Sequence, residues 1–308
     1  MARIVQLLYC FPCTMRDSDL RKGQVMLRKI KARFLYMLRT IIFSNTLGIP
    51  TNRLWRNFHK SCQSECQGIR SSRPSKVVEE LRKDRMTVLS RQSVTEIALK
   101  VDEHFAGQNA TYSAMPLADA VKFADEIFKI IKSAEQDVID YYGSYFQPYW
   151  IQIQRTTPGK TTSDTSFGWH MDDNPKEMLK LFVYLNDVNE SNGAFRAFSW
   201  KHSRRILLKG FQSASSDVRM ASQSIADKHL QKNPQSLKVL EGSKGTVLAF
   251  DNNLIHKGTA PRVGYRHVIQ IPIYPSRIPL NVEMVRRALL SPQKRDYPLD
   301  PEINDHGF

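Results

Sequence analysis

The sequence predicts a mainly β protein with flanking helices, in which a double-stranded β-helix (jelly-roll, cupin-like) core follows an N-terminal helical extension. Five short apolar stretches are typical of strands, at 149–156, 179–186, 194–199, 245–251 and 267–273. Amphipathic helical patterns precede them, and a jelly-roll needs such helices to cover the outside of its larger sheet. With 308 residues, the chain is long enough to bury a large core of this kind.

Most of the net charge lies in the first third of the chain. Lys and Arg outnumber Asp and Glu by 45 to 30, and 13 of this excess of 15 falls within residues 1–100. The nearly neutral remainder does not favour a nucleic-acid enzyme, whose basic patch is expected to flank its active site. We therefore expect a basic helical extension and linker at 1–70, and a double-stranded β-helix domain at 71–308.

The basic extension contains one helical pattern. Residues 25–43 place apolar side chains at helical spacing with Arg and Lys between them, which predicts a basic amphipathic helix. Its apolar face packs on the rest of the protein, docks a partner or lies on an anionic membrane surface. Contact with an anionic surface through residues 1–70 therefore remains one reading. Residues 44–75 are rich in Gly, Pro and Ser and are expected to be a linker.

The four cysteines also lie in the extension, as the pairs Cys10/Cys13 and Cys62/Cys66. Two close pairs are compatible with a Cys₄ zinc site, whereas their wide separation favours independent reduced thiols, and a disulfide is a third reading. The predicted double-stranded β-helix domain contains no cysteine, in keeping with a reducing compartment. The apolar runs are too short to span a membrane, and the N-terminus lacks the order of a signal peptide, so we expect a cytoplasmic protein.

The helices of the domain are predicted from local patterns. Residues 76–89 suggest a short helix followed by a first strand, and Ser93-Val-Thr-Glu96 is a capping box that predicts a helix through Phe105. A longer helix is expected over 117–142. The polar, serine-rich segment 201–240 is expected to be a long loop, either a lid or disordered, and its position between strands favours a lid.

The chemistry of the chain concentrates in Phe167-Gly-Trp-His-Met-Asp-Asp173. In an extended segment, His170 and Asp172 share one face while Asp173 takes the other. An imidazole and a carboxylate on one face are two of the three ligands of a 2-His-1-carboxylate triad, which suits non-haem Fe(II). His256, at the end of an apolar stretch that Gly245 opens, is the best third ligand.

Each of these three residues also has a structural reading. His170 could be a core histidine, Asp172 a turn carboxylate and His256 the end of a strand. The ordered pattern argues against all three readings together, because a His-x-Asp, a hydrophobic strand and a second strand ending in His follow one another. We therefore predict His170, Asp172 and His256 as the metal ligands and catalytic residues.

In this order of motifs, residues from about 76 to 275 resemble the phytanoyl-CoA dioxygenase (PhyH)-like family of Fe(II)/2-oxoglutarate-dependent oxygenases. The matching segments are Trp169–Asp173, Leu185–Gly193 and Lys201-His202, where the family typically has a Gly-Ser-His turn. The resemblance implies a dioxygenase that requires Fe(II), 2-oxoglutarate as cosubstrate and O₂. It would act on a small-molecule substrate and release succinate and CO₂.

The resemblance also implies where the cosubstrate binds. Arg266 begins the apolar strand ten residues after His256, and its planar guanidinium suits a bidentate pair with the distal carboxylate of 2-oxoglutarate. Arg262, in the preceding turn, is the competitor. By resemblance in spacing, Gln152 and Phe182 fall where the family lines the cosubstrate pocket; the structural reading of both is an ordinary strand residue.

Two departures limit what can be transferred. Ser199-Trp-Lys-His202 replaces the family's turn on the substrate side, and the residues before 70 have no recognised counterpart, so the family's acyl-CoA substrate is not carried over. Asp172 stands where the halogenating relatives have a small residue, which favours hydroxylation. Two rival functions stay open: a catalytically inactive jelly-roll attached to membrane or nucleic acid through its basic segment, and a metal enzyme that does not use 2-oxoglutarate.

Overall fold

Two antiparallel sheets form the centre of the protein. The computed structural model describes residues 49–108, 110–159, 166–172, 175, 178–211 and 216–291, with the backbone alone for 49–52 and 216–221. The helix predicted at 25–43 and the Cys10/Cys13 pair lie outside the described residues. In the described ranges, no helix is both long and apolar enough to cross a bilayer.

The helices are α1 (Ile49–Glu65), α2 (Lys76–Asp84), α3 (Thr95–His104), α4 (Leu117–Ala120), α5 (Ala124–Ser133), α6 (Glu135–Tyr142), α7 (Trp200–Leu208), α8 (Ser216–Lys232) and α9 (Val282–Leu290). The strands are β1 (Met86–Arg91), β2 (Tyr112–Ala114), β3 (Tyr145–Pro148), β4 (Gln152–Thr156), β5 (Leu179–Tyr184), β6 (Phe195–Phe198), β7 (Leu237–Leu240), β8 (Thr246–Asp251), β9 (His256–Lys257) and β10 (Arg266–Ser276).

The larger sheet has the order β1-β8-β5-β10-β4-β2, and β3 pairs with the far end of β10 beside β4. The long strand β10 is its centre, because it pairs with β5 on one edge and with β4 and β3 on the other. The smaller sheet has the order β7-β6-β9. These are the two facing sheets of a double-stranded β-helix, so the predicted fold class is confirmed.

Successive side chains along a strand point to opposite faces of the sheet, so they alternate between the interior between the two sheets and the layer of helices outside. On β5, Phe182 and Tyr184 point between the sheets and pack with Phe195 of the smaller sheet. The alternate residues Leu181 and Val183 point outward to the layer of helices. On the side of the larger sheet, the interior between the sheets is therefore lined by β5, β10, β8 and β4. One end of this interior holds the candidate site.

Two helix predictions need correction. The pattern over 117–142 does not form one helix: α4, a 3₁₀ turn at Val121–Phe123, α5 and α6 follow one another, and the backbone leaves the helical region at Ala134, with φ −100° and ψ 5°. The predicted capping box is also absent. Ser93 lies one residue too early, since Val94 occupies the N-cap of α3 and makes no side-chain cap hydrogen bond.

The interpretation of 44–75 as a linker is wrong for residues 49–65, which form α1. Trp55, Phe58 and Cys62 recur at helical spacing, and all three are buried. They pack on an aromatic surface of the β domain, where the Trp55 ring meets the Tyr274 ring edge to face at 5.6 Å. Cys66 is buried one turn after Cys62, at the end of the helix. Gly and Pro near the start of the helix hid it, although Pro is tolerated in a first turn.

Replacing Trp55 with alanine is expected to lower the free energy of unfolding by about 3–5 kcal/mol, the usual cost of deleting a large buried aromatic side chain. Arg56→Ala, on the exposed side of the same helix, is the control and should change stability by less than about 0.5 kcal/mol. Urea unfolding followed by circular dichroism measures both. Equal stability of the two variants would contradict the docking of α1.

The interpretation of 201–240 as a long loop is also wrong, because α7, α8 and β7 occupy most of it. Its numerous serines concealed a sparse apolar pattern. Ile206, Leu207 and Ala226 of these helices pack against Trp169 and Phe198. The segment therefore covers the outer side of the strand that carries the predicted ligands.

Candidate metal centre

The chain brings its two predicted histidine ligands together through the backbone. The N–H of His170 donates to the carbonyl of His256 at 2.8 Å, and the N–H of His256 donates back to His170 at 2.9 Å. Two residues on, the N–H of Asp172 donates to the carbonyl of Asn252 at 3.1 Å. This short antiparallel bridge fixes the relative position of segments that are far apart in sequence.

The three predicted ligands face one another at this bridge. Asp172 Oδ1 lies 3.6 Å from His170 Nε2 and 3.7 Å from His256 Nε2, and the three atoms lie within 4.8 Å of one another. Met171, between them in sequence, points the other way into an apolar cluster with Trp169 and Ile255. The expected alternation along this extended segment is what places both polar side chains on the inner face.

Each histidine is held with a lone pair toward Asp172. His170 Nδ1 lies 2.8 Å from the carbonyl of Gly168, and His256 Nδ1 lies 2.8 Å from the carbonyl of Leu254. A carbonyl only accepts, so each Nδ1 carries a proton, and in the neutral ring the lone pair that could bind a metal is then on Nε2. Burial lowers the pKa of His256 to about 3, which keeps its ring neutral.

The donor set therefore fits a cation. Two unprotonated imidazole nitrogens and a carboxylate oxygen converge without a hydrogen between them, and three acceptors in a buried site attract a metal ion. Burial by itself would raise the pKa of Asp172, but the charge and hydrogen bond of Lys180 act against burial, and the pKa of Asp172 lies below the ordinary range of an aspartate. Asp172 is thus an anionic ligand at neutral pH.

Lys180 is a site residue that sequence reasoning missed. Its ammonium donates to Asp172 Oδ2, whereas Oδ1 is the oxygen near the two histidines. A signal for it was present, because Lys180 is the one charged residue of the apolar strand β5 and shares its inward parity with Phe182 and Tyr184. The apolar character of this segment predicts a strand, whereas the inward direction of its lysine follows only from the alternation of side chains along it.

A cavity of about 320 Å³ opens beside the three ligands. The triad, Lys180 and Arg266 all line it. Lys180 pairs with Pro272, six residues along β10 from Arg266, so Lys180 and Arg266 stand toward opposite ends. Phe182 and Phe195 supply apolar walls, whereas Tyr112, Gln154 and Thr156 supply polar ones. Gln154 is almost fully buried, and its carbonyl oxygen has no hydrogen-bond partner in the structure. Such a buried, unsatisfied group on a cavity wall is suited to a ligand or a water molecule.

Arg266 is a buried cation without an anionic partner among the described residues. It is 3% exposed; one terminal nitrogen donates to the carbonyl of Gly193, the other lies 3.4 Å from Thr156 Oγ1, and Nε has no partner. Burial lowers its pKa, although an arginine stays charged in proteins. The competitor Arg262 is exposed. The arrangement fits an incoming carboxylate at Arg266.

Gly193 explains part of the Leu185–Gly193 motif. Its φ of +102° is in the left-handed region, and a Cβ there would lie 2.6 Å from the carbonyl oxygen of Thr259. Only glycine fits this position without strain. The motif therefore sets the carbonyl that orients the Arg266 guanidinium.

The two remaining predicted pocket residues differ in position. Phe182 lies on the cavity wall. Gln152 is not among the described residues that line the cavity, and its carbonyl oxygen instead accepts a hydrogen bond from the Tyr112 hydroxyl at 2.8 Å. The next inward residue on the same strand, Gln154, takes the place on the wall that was expected of Gln152.

Helix α8 makes hydrogen bonds to Trp169, the residue before the predicted ligand His170. The Gln223 side chain accepts from the N–H of Trp169 at 2.6 Å and donates to its carbonyl at 2.8 Å, and the Trp169 indole donates to Asp227 at 2.9 Å. Because Trp169 directly precedes His170, α8 helps to fix the position of the imidazole. The predicted lid is thus a docked helix on the far side of the ligand strand.

Comparison with known proteins gives matches among solved structures alone. No protein-family model matches the chain, and a search of curated proteins finds none that is similar to it. AviO1 from Streptomyces viridochromogenes Tue57 matches with 14% identity and a TM-score of 0.43, over 66% of this chain and 96% of that one. EctD from S. alaskensis with bound Fe matches with 14% identity and a TM-score of 0.42, over 68% and 78%.

HygX from Streptomyces hygroscopicus, solved with nickel, 2-oxoglutarate and hygromycin B bound, matches with 12% identity and a TM-score of 0.44, over 66% of this chain and 88% of that one. Identities this low do not transfer a substrate. The resemblance to PhyH-like oxygenases stands on the two facing sheets of this chain and on the place of its His-Asp-His triad between them.

Proposed function

We propose that the chain is an Fe(II)- and 2-oxoglutarate-dependent dioxygenase that hydroxylates a small or conjugated metabolite. In the balanced reaction, the substrate C–H bond, O₂ and 2-oxoglutarate give the alcohol, succinate and CO₂. One observation carries the proposal: three metal-donor atoms line a single cavity together with a buried guanidinium that has no anionic partner among the described residues.

His170 Nε2, Asp172 Oδ1 and His256 Nε2 would hold the metal. They fit it because a neutral imidazole with its proton on Nδ1 has the lone pair of Nε2 available, and both Nε2 atoms lie close to the same carboxylate oxygen. When bound, Fe(II) supplies the activation of O₂ that is coupled to oxidative decarboxylation of 2-oxoglutarate. With the chemistry of O₂ supplied by the metal, the protein would bind the metal from one side, leave its other side open for the cosubstrate and O₂, and exclude bulk water.

Arg266 would bind the distal carboxylate of 2-oxoglutarate and so set the direction in which the cosubstrate enters. Its two terminal nitrogens are already oriented by Gly193 and Thr156. Phe182 and Phe195 add apolar surface to the lining of the cavity that Arg266 shares with the triad. In that setting a guanidinium–carboxylate pair is stronger than in water.

The size of the cavity bounds the substrate. About 320 Å³ is at the lower end of the range for ligand pockets, and the cosubstrate takes part of it. The reacting portion of the substrate is therefore small, whether it is a whole metabolite or one end of a conjugated one. We place the reaction in a reducing compartment, the cytoplasm, since the part of the sequence that carries the three candidate ligands contains no cysteine.

The proposal is tested by measuring succinate release from 2-oxoglutarate by the full chain with Fe(II), ascorbate and a broad metabolite panel. We expect metal-dependent turnover that one class of substrate stimulates. The same samples without Fe(II), or with a chelator, are the control. Failure of the full chain to bind Fe(II) at all, measured by equilibrium dialysis under anaerobic conditions, would end the proposal and favour the non-catalytic alternative.

A further inference from the structure

The two oxygens of Asp172 have different surroundings. Oδ1 faces the two imidazole nitrogens at 3.6 and 3.7 Å, whereas Oδ2 accepts a hydrogen bond from the Lys180 ammonium. The carboxylate is therefore presented to the metal position by one oxygen. The other oxygen is occupied by its hydrogen bond with Lys180.

Lys180 is firmly placed for this contact. On β5 it lies between Phe250 of β8 and Pro272 of β10, at the centre of the larger sheet. Its side chain is 9% exposed, and its ammonium lies 5.7 Å from the Trp150 ring and 5.9 Å from the Phe250 ring. Asp172 is the only carboxylate among the described residues that pairs with it. A buried ammonium with one anionic partner holds that partner strongly.

The number of oxygens that Asp172 gives to the metal decides how many positions remain open. A carboxylate with both oxygens free is able to bind a cation through both, as Asp and Glu do in calcium sites. In a six-coordinate site with two imidazoles, a second oxygen would leave two open positions in place of three. The cosubstrate chelates through two atoms, so O₂ would then have no position of its own.

We propose that Lys180 is a positioning residue that restricts Asp172 to one-oxygen coordination and thereby keeps three metal positions open. The inference rests on the proposed metal function and deepens it. Lys180 acts through Asp172, and it does so before any cosubstrate or substrate is present. Its effect is therefore visible in the coordination of the resting metal site as well as in turnover.

The experiment counts the exchangeable water molecules on Mn(II) bound to the full chain, from the relaxation rate of water protons. Without cosubstrate, three open positions hold three waters. Lys180→Met keeps the length of the side chain and removes the charge, and it should lower the inner-sphere relaxation enhancement by about one third, because one of about three waters is displaced by Asp172 Oδ2. Lys180→Arg should restore the wild-type value.

Lys238→Met, at an exposed position on β7, is the matched control and should leave the relaxation unchanged. Lys180→Gln is a second variant for the case in which Lys180→Met does not fold, which circular dichroism decides. An unchanged relaxation in a folded Lys180 variant overturns the inference. The wild-type chain alone gives a second test, because finding two water molecules on its Mn(II), and not three, also overturns the inference.

These outcomes differ from a failure of the proposed function. If the wild-type chain binds neither Mn(II) nor Fe(II), the metal function falls and Lys180 has no site to position. If the wild-type chain binds metal with three waters and Lys180→Met does the same, the metal function stands and the role of Lys180 alone is lost.

Discussion

Asp172→Ala is expected to abolish metal binding and 2-oxoglutarate turnover. Removing a residue that only orients a ligand usually costs about 10–100-fold in metal affinity, so loss of an anionic ligand should cost at least about 100-fold. The carboxylate supplies the only negative charge that the described residues bring to the triad, and without it two neutral imidazoles face a divalent cation. Fe(II) affinity by anaerobic dialysis and succinate release are the measurements.

The same substitution leaves Lys180 buried without its anionic partner. Breaking a buried ion pair by removing one member typically destabilises a protein by about 3–5 kcal/mol. A loss of activity in Asp172→Ala alone would therefore be ambiguous. Asp172→Ala combined with Lys180→Met removes both charges, and we expect it to regain much of the lost stability while metal binding stays absent.

Asp119→Ala is the matched control, since Asp119 is a partly exposed carboxylate that pairs with Lys122 on the surface. It should retain metal affinity, activity and stability. Retention of Fe(II) affinity in the folded double variant would contradict the assignment of Asp172 as a ligand. His256, which approaches Asp172 from another strand, would then have no triad to complete.

From the sequence, the grouping of the candidate ligands can be predicted better than their surroundings. Chemistry restricts which residues could hold iron, which points to His170, Asp172 and His256, and the backbone bridge between their segments brings the three together. Arg266 was preferred to Arg262 because it begins an apolar strand, and it is the buried one of the two. Each of these residues belongs to a short sequence motif or stands at the end of an apolar strand, and such local patterns can be detected without knowing the tertiary structure.

The missed features depend on tertiary packing. Helix α1 is stabilised by the contact of Trp55 with Tyr274, which no local pattern records, whereas the Gly and Pro residues around it suggested a linker. Helix α8 docks through Gln223 and Asp227 on Trp169, so its polar residues make specific contacts where the composition suggested a loop. In the sequence, Lys180 is a single charged residue within an apolar strand, and only the tertiary structure shows that it contacts Asp172.

Arg266→Met is expected to weaken 2-oxoglutarate binding by about 30-fold or more, since losing one member of a buried, hydrogen-bonded charge pair costs about 2–5 kcal/mol. Metal affinity should not change, because Arg266 is not one of the three candidate ligands. Calorimetric titration of 2-oxoglutarate into the Mn(II)-loaded chain measures the effect. Arg266→Lys should recover only part of the affinity, because an ammonium cannot form the bidentate pair.

Arg262→Met removes an exposed guanidinium four residues earlier and should bind 2-oxoglutarate as the wild type does. The comparison separates two enzyme classes that share this metal site. If Arg266→Met lost cosubstrate affinity but kept metal, the buried guanidinium would be the anchor of a cosubstrate carboxylate. If the Arg266→Met variant kept full activity, the chain would belong with metal enzymes of this fold that need no 2-oxoglutarate. The buried guanidinium of Arg266 would then be expected to bind a different anion.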